Sequence, residues 1–271
     1  MRHTPRFVET LRIACRLAMV PFALGCAAGC ADNPPPKVQP LWADLPTDNK
    51  EYFTGHIYNG VTLDQSVLSR DRSQKVFSQS FEEFSGRMVP PRLSRGSNMM
   101  KQYGSVLSRI EQAYGVPGEV LVAIWGLETD FGANTGKFPT MRSLATLAYD
   151  CRRSEMFRNE LLDALRIIER GDLTAGEMRG AWAGEIGQTQ FMPSSYIKFA
   201  VDFDANGRRD LLRSAPDVLA STANFLASYG WQRGKGWDPG SANFTVLQQW
   251  NKSEVYAKTV AYFADQLAHA P

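Results

Sequence analysis

The sequence predicts a mainly α fold, and three observations carry that prediction. Apolar residues recur at intervals of three and four through most of the chain beyond Tyr52. Capping and stop signals bracket those stretches. No alternating strand–helix pattern and no glycine-rich phosphate loop is present. The 271 residues suit one large domain, or one domain with a small insertion. A hydrophobic share of 44% against 21% charged allows a substantial core, and no repeat of solenoid period is visible.

The chain opens with a segment that reads as an address rather than as fold. Arg2, Arg6, Arg12 and Arg16 precede an apolar run over residues 17–29, the form of a secretory signal. A spanning helix needs about 20 apolar residues, so the run is short for one; an uncleaved N-terminal anchor is the alternative. Ala27-Ala28-Gly29-Cys30 resembles a bacterial lipobox, in which the cysteine is lipidated and becomes the first residue. Leu24-Gly25-Cys26 is a weaker competing match, and ordinary export with cleavage nearby is the other reading. The expected division is a lipoprotein-type signal over 1–29, a linker over 30–50 stiffened by Asn33-Pro34-Pro35-Pro36 and Pro40, and one domain over 51–271.

Cysteine and charge fit this division. Cys15 and Cys26 leave with the signal and Cys30 takes the lipid, so Cys151 stands alone and no disulfide framework is expected. Residues 1–29 carry four Arg and one Glu, a net +3; removing that from the full +2 leaves −1. The basic balance therefore belongs to the signal, and no nucleic-acid partner is indicated.

The helices follow in order. Residues 67–87 are mixed, with Phe77, Phe81 and Phe84 at helical spacings. Residues 97–114 read as one amphipathic helix that stops at Gly115-Val116-Pro117. Pro117 opens the next helix, where a missing N–H costs nothing. Residues 120–127 are almost wholly apolar, the mark of a helix buried all round, and Glu128 ends the run. Further helices are expected over 140–150 and 154–170, the second ended by Gly171. Thr174-Ala175-Gly176-Glu177 has capping-box form. A short helix over 194–200 and a longer one over 215–229, stopped by Gly230, come next. Only residues 243–248 look extended, and Asn251-Lys252-Ser253-Glu254 starts the last helix.

Three segments have the makings of chemistry. A carboxyl after eight apolar positions is poorly solvated, so the acid form of Glu128 is favoured and can protonate a glycosidic oxygen. The alternative is a carboxylate that caps the helix or pairs with an arginine. Asp130, two residues on, does not share its face and is a poor second carboxylate. In residues 183–193, glycines permit close backbone approach, Gln190 offers a donor and an acceptor, and Phe191 offers an apolar wall to a sugar; the alternative is a helix-packing turn. Asp202, Asp204 and Asn206 with Gly207 match positions 1, 3, 5 and 6 of an EF-hand loop. Position 12 is Arg213 rather than Glu; Asp217 would close a longer loop, and an Asx-rich turn without metal is the alternative. Arg152 and Arg153 are suited to a carboxylate or lactyl group, or else form a solvated basic pair. No zinc-ligand spacing and no nucleophile elbow appears.

Taken together, Tyr114-Gly115-Val116-Pro117, Glu128-Thr129-x-Phe131-Gly132, Gly187-Gln188-Thr189-Gln190-Phe191-Met192-Pro193-Ser194-Ser195-Tyr196 and Val201-Asp202-Phe203-Asp204 resemble the membrane-bound lytic murein transglycosylase B family. The resemblance runs over 115–231 and again from Trp250-Asn251-Lys252-Ser253 to Tyr256. It implies a lysozyme-like helical catalytic domain with a small EF-hand-like loop. It also implies one catalytic carboxyl, Glu128, that protonates the MurNAc–GlcNAc bond of peptidoglycan and then serves as base while the muramyl 6-hydroxyl attacks C1. The product is a 1,6-anhydro sugar. By the same resemblance Gln190, Phe191, Arg152, Arg153, Phe225 and Asn251 meet substrate, and Asp202, Asp204, Asn206, the Arg208 carbonyl and Asp217 form a structural Ca2+ site, with no cofactor required. The implied setting is the periplasmic face of the bacterial outer membrane through a lipid on Cys30, or the soluble periplasm. The implied partners are glycan strands, with cell-wall synthesis proteins as candidates. Ala181 stands where the family commonly has Ser, Met156, Phe225 and Trp250 where some members have Tyr, and Glu185 is unusual. Two other functions fit parts of the pattern: a hydrolytic muramidase in which Glu185 or Asp130 positions water, and a non-catalytic peptidoglycan-binding protein.

Overall fold

The structure is a computed structural model that describes residues 63–73, 79–150 and 152–270. The signal, the linker, Cys26, Cys30, Phe77 and Cys151 lie outside the described residues.

Local signals set most of the helix starts. Helix α1, Gln65–Arg72, begins where the Asp64 side chain accepts from the Ser66 N–H. Helix α2, Phe81–Met88, carries a full capping box between Ser80 and Glu83. The single helix expected over 97–114 is two, α3 Pro90–Gln102 and α4 Gly104–Tyr114. Tyr103 leaves helical geometry between them, and its ring packs edge-on to Trp125. Helix α5 is Gly118–Thr129, with Pro117 as its extended cap rather than its first residue.

Helix α5 is the axis of the molecule. Val120, Leu121, Val122, Ala123 and Ile124 are wholly buried. Each buried Val, Leu or Ile side chain is worth about 1.5–3 kcal/mol of transfer free energy. Around α5 pack α3, α4, α9 (Ala215–Ser228) and α11 (Glu254–Ala268). A second layer joins α6 (Thr140–Tyr149) to α7 (Ser154–Glu169) and α7 to α8 (Pro193–Phe199), with α1 resting on α6. The mainly α expectation holds: the described residues add only a two-stranded antiparallel ladder, β1 Phe138–Pro139 with β2 Arg179–Gly180.

Two local readings are overturned. Residues expected to be extended, 243–248, lie within helix α10, Ala242–Trp250. Ser241 caps that helix, and Asn243, Val246, Leu247 and Trp250 are buried, a three-and-four spacing rather than alternation. The box-like Thr174 and Glu177 do bond to each other, but no helix follows. One turn there delivers the chain to β2, whose pairing with β1 takes the next residues.

Candidate active site

Glu128 sits one residue before the end of α5, partly exposed where the apolar run meets solvent. Two neutral donors converge on one of its oxygens. The Trp250 indole N–H reaches Oε1 at 2.9 Å and the Tyr256 hydroxyl reaches the same atom at 2.8 Å. Trp250 ends α10 and Tyr256 lies in the first turn of α11. The short turn between them is tied by Asn251 Oδ1, which accepts from the Ser253 N–H, while Ser253 Oγ caps α11 by accepting from the Tyr256 N–H. The segment 250–256 is therefore a device that aims two side chains at one atom.

Both donors spend their hydrogen bonds on the same oxygen, Oε1. Such a group suits proton donation followed by proton uptake.

An aromatic stack stands behind Trp250. Its ring lies 5.5 Å from that of Phe191 and 5.0 Å from that of Phe225, and Phe225 continues to Phe199 at 4.8 Å and Tyr229 at 4.6 Å. Phe191 is fully buried, so instead of forming an open sugar-facing surface it packs behind Trp250. It closes a tight turn in which Ile186 and Phe191 exchange both backbone hydrogen bonds. Gln190 occupies that turn in the left-handed region, at φ 55°, and its amide nitrogen donates to the Thr135 and Gly187 carbonyls. The donor that the sequence offered to a sugar is thus spent on the backbone.

The other carboxylates near the motif are committed elsewhere. Asp130 caps α5 in the left-handed region and pairs with Arg92 at 2.6 Å. Glu185 is buried and accepts the Ala183 N–H at 3.0 Å. Arg152 and Arg153 do clasp a carboxylate, but it is the protein's own: buried Asp71 on α1 receives both. No sequence signal marks Asp71, because its partners lie about eighty residues away. Asn251 is buried, and its Nδ2 has no hydrogen-bond partner among the described residues.

The acidic loop fits a hard cation. One carboxylate oxygen each from Asp202, Asp204 and Asp217 lies within 4.8 Å of the others. Asp217 is fully buried and also accepts the N–H groups of Phe203, Asp204 and Asp210, so it anchors the loop from α9. Burial raises the Asp217 carboxyl above the usual range. Three like charges gathered this closely on oxygen donors match what Ca2+ accepts. Asn206 and Arg208 lie on the same loop, where Asn206 Oδ1 accepts the Arg208 N–H.

Comparison with known proteins follows the same lines. Residues 47–241 match the family described as Transglycosylase SLT domain. The chain is 37% identical over 148 residues to membrane-bound lytic murein transglycosylase B of Escherichia coli (strain K12), a match that takes in 54% of this chain and 41% of that one. It thus spans less than half the length of that relative. Among solved structures, SltB3 from Pseudomonas aeruginosa in complex with NAG-anhNAM-pentapeptide superposes with a TM-score of 0.74 at 30% identity, over 83% of this chain and 75% of that one. The Escherichia coli lytic transglycosylase Slt35 in complex with calcium gives 0.71 at 25% identity, over 81% and 90%. The fold is the lysozyme-like one of these enzymes, and the chain belongs to the SLT transglycosylase domain family.

Proposed function

We propose that this protein is a lytic transglycosylase that cleaves the MurNAc–GlcNAc bond of peptidoglycan and leaves 1,6-anhydro-MurNAc ends. One observation carries the reading: Glu128 is held by two neutral donors on a single oxygen, while Asp130 pairs with Arg92 and buried Glu185 accepts the Ala183 N–H. A lone carboxyl must be both acid and base. The Glu128 carboxyl gives its proton to the glycosidic oxygen as the bond from C1 breaks, releasing the GlcNAc hydroxyl. The resulting carboxylate, steadied by Trp250 and Tyr256, takes the proton of the muramyl 6-hydroxyl as that oxygen bonds to C1. No water enters, and the nucleophile is held on the same sugar, where proximity favours closure. General acid–base action of this kind is worth about 10²–10⁴-fold in rate.

The remaining assignments extend this reading. Asn251 supplies a buried donor beside Trp250, suited to a sugar acceptor. Arg152 and Arg153, oriented by Asp71, offer their remaining N–H groups to a lactyl or peptide carboxylate. Phe191 and Phe225 pack behind Trp250 and Gln190 pins the turn that carries Phe191, so these three shape the sugar site from behind. Asp202, Asp204, Asn206, the Arg208 carbonyl and Asp217 hold Ca2+, which neutralises the gathered carboxylates and stiffens the loop. Cys30 carries a lipid that places the enzyme on the periplasmic face of the outer membrane; no described helix is long and apolar enough to cross a membrane.

Digestion of purified sacculi followed by mass spectrometry of the muropeptides tests the activity. Anhydro-MurNAc products from the wild type, and none from Glu128→Gln, are expected. Free reducing ends would replace the proposal with a hydrolytic muramidase, and turnover that survives Glu128→Gln would remove Glu128 from the chemistry. Palmitate-analogue labelling that persists in Cys30→Ser would refute the anchor.

A further inference from the structure

We propose that Gln188 is a positioning residue for Glu128, joining the helical turn that carries the acid to the segment that leads out of the acidic loop. The inference rests on the reading of Glu128 as the acid. Gln188 is buried and uses every polar group it has. Its Oε1 accepts the Trp125 indole N–H at 2.9 Å, and its carbonyl accepts the Thr129 hydroxyl. Its Nε2 donates to the Leu212 carbonyl and its backbone N–H to the Leu211 carbonyl, each at 2.9 Å.

The two ends of this bridge land on parts that matter. Trp125 and Thr129 lie three residues before and one after Glu128, on the same turn of α5. Leu211 and Leu212 follow Asp210, whose N–H donates to Asp217 Oδ2 at 2.8 Å, and Asp210 Oδ1 in turn accepts the Leu212 N–H. The room for the bridge is built in. A Cβ on Gly132 would stand 2.3 Å from Gln188 Oε1, and Gly132 holds φ +83°. The glycine of the first motif and the glutamine of the second are thus complementary surfaces.

Removing the amide leaves the buried Trp125 indole N–H and the part-buried Leu212 carbonyl without their partner, and an unsatisfied buried donor carries a desolvation cost that favours rearrangement around it. A displacement of about 1 Å at a reacting group can cost roughly 10²-fold. Gln188 touches no reacting atom, so its loss should appear in kcat more than in KM.

The test is the pair Gln188→Met and Trp125→Phe in the full chain, separately and together, with Glu128→Gln as reference. Turnover on a soluble glycan strand, thermal melting and the pH profile of kcat are measured for each. Expected are a kcat lower by roughly 10- to 100-fold with KM within about twofold, a displaced limb in the kcat–pH profile, and a double variant no slower than the slower single one. An unchanged kcat and pH profile in either variant would overturn the proposal, as would independent losses that multiply in the double variant. Should Gln188→Met fail to fold, Trp125→Phe alone decides, since it removes the same bond from the other side. If Glu128→Gln keeps full turnover, the reading of Glu128 fails instead.

Discussion

The Trp250 indole donates to Glu128 Oε1 at 2.9 Å, from a residue 122 positions further along the chain. This contact ties the end of α10 to the end of α5 and places a non-titrating donor against the carboxyl proposed as the acid. Tyr256 shares the same oxygen at 2.8 Å. Both donors therefore fall on the same carboxyl oxygen.

Trp250→Phe keeps the aromatic stack with Phe191 and Phe225 but removes the donor. A hydrogen bond to a charged group is worth about 1.5–3 kcal/mol. The loss falls on the carboxylate stage, so kcat should drop by about tenfold or more, and the limb of the pH profile that follows Glu128 should move to higher pH. Trp250→Phe and Tyr256→Phe compared on one soluble substrate would check this; an unchanged profile in both would show that the donors do not govern the acid.

Ca2+ should raise the melting temperature. A ligand that binds only the folded form stabilises it by about 2.7 kcal/mol at a hundredfold excess over Kd. EDTA should lower the transition, calcium should restore it, and Asp202→Ala should abolish the response. Scanning calorimetry without any shift would retire the site formed by Asp202, Asp204 and Asp217.

Gly132→Ala should be costly for two separate reasons. The residue holds φ +83°, and the new Cβ meets Gln188 Oε1 at 2.3 Å. Left-handed strain and the clash each cost about 1–3 kcal/mol. Denaturant unfolding should show a loss of at least that size, whereas Gly171→Ala, strained but in open space, should lose less.

Acid should loosen the tie between the segment before β2 and the acidic loop. The Glu177 carboxylate accepts from the Thr174 backbone and hydroxyl and pairs with Arg213, which together hold its pKa down at about 2. A carboxyl depressed in the fold contributes stability above its unfolded pKa and loses it as pH falls through the folded value. Glu177→Gln should therefore be less stable than the wild type near neutrality, and the gap should close between about pH 5 and pH 2. Melting curves across that range would show a constant gap if the tie contributes nothing.

Much of the molecule is legible because its signals are local. The mainly α fold, the buried α5 with Glu128 at its open end, and the Asp202–Asp204–Asn206–Gly207 pattern all follow from periodicity or spacing within one segment. Misreadings arose where the local signal was ambiguous. The apolar spacing in α10 passes for alternation over six residues, and the 97–114 stretch hides the break at Tyr103 because both halves have helical period. The site itself was decided by tertiary structure. That Trp250 and Tyr256 meet on one oxygen, that Asp71 clasps Arg152 and Arg153, and that Phe191 backs the site from within depend on how α10, α11 and α1 pack. Sequence period tells a helix which face to bury. Hydrogen bonds between side chains brought together from distant segments depend on the packing of whole helices, and no local pattern encodes them.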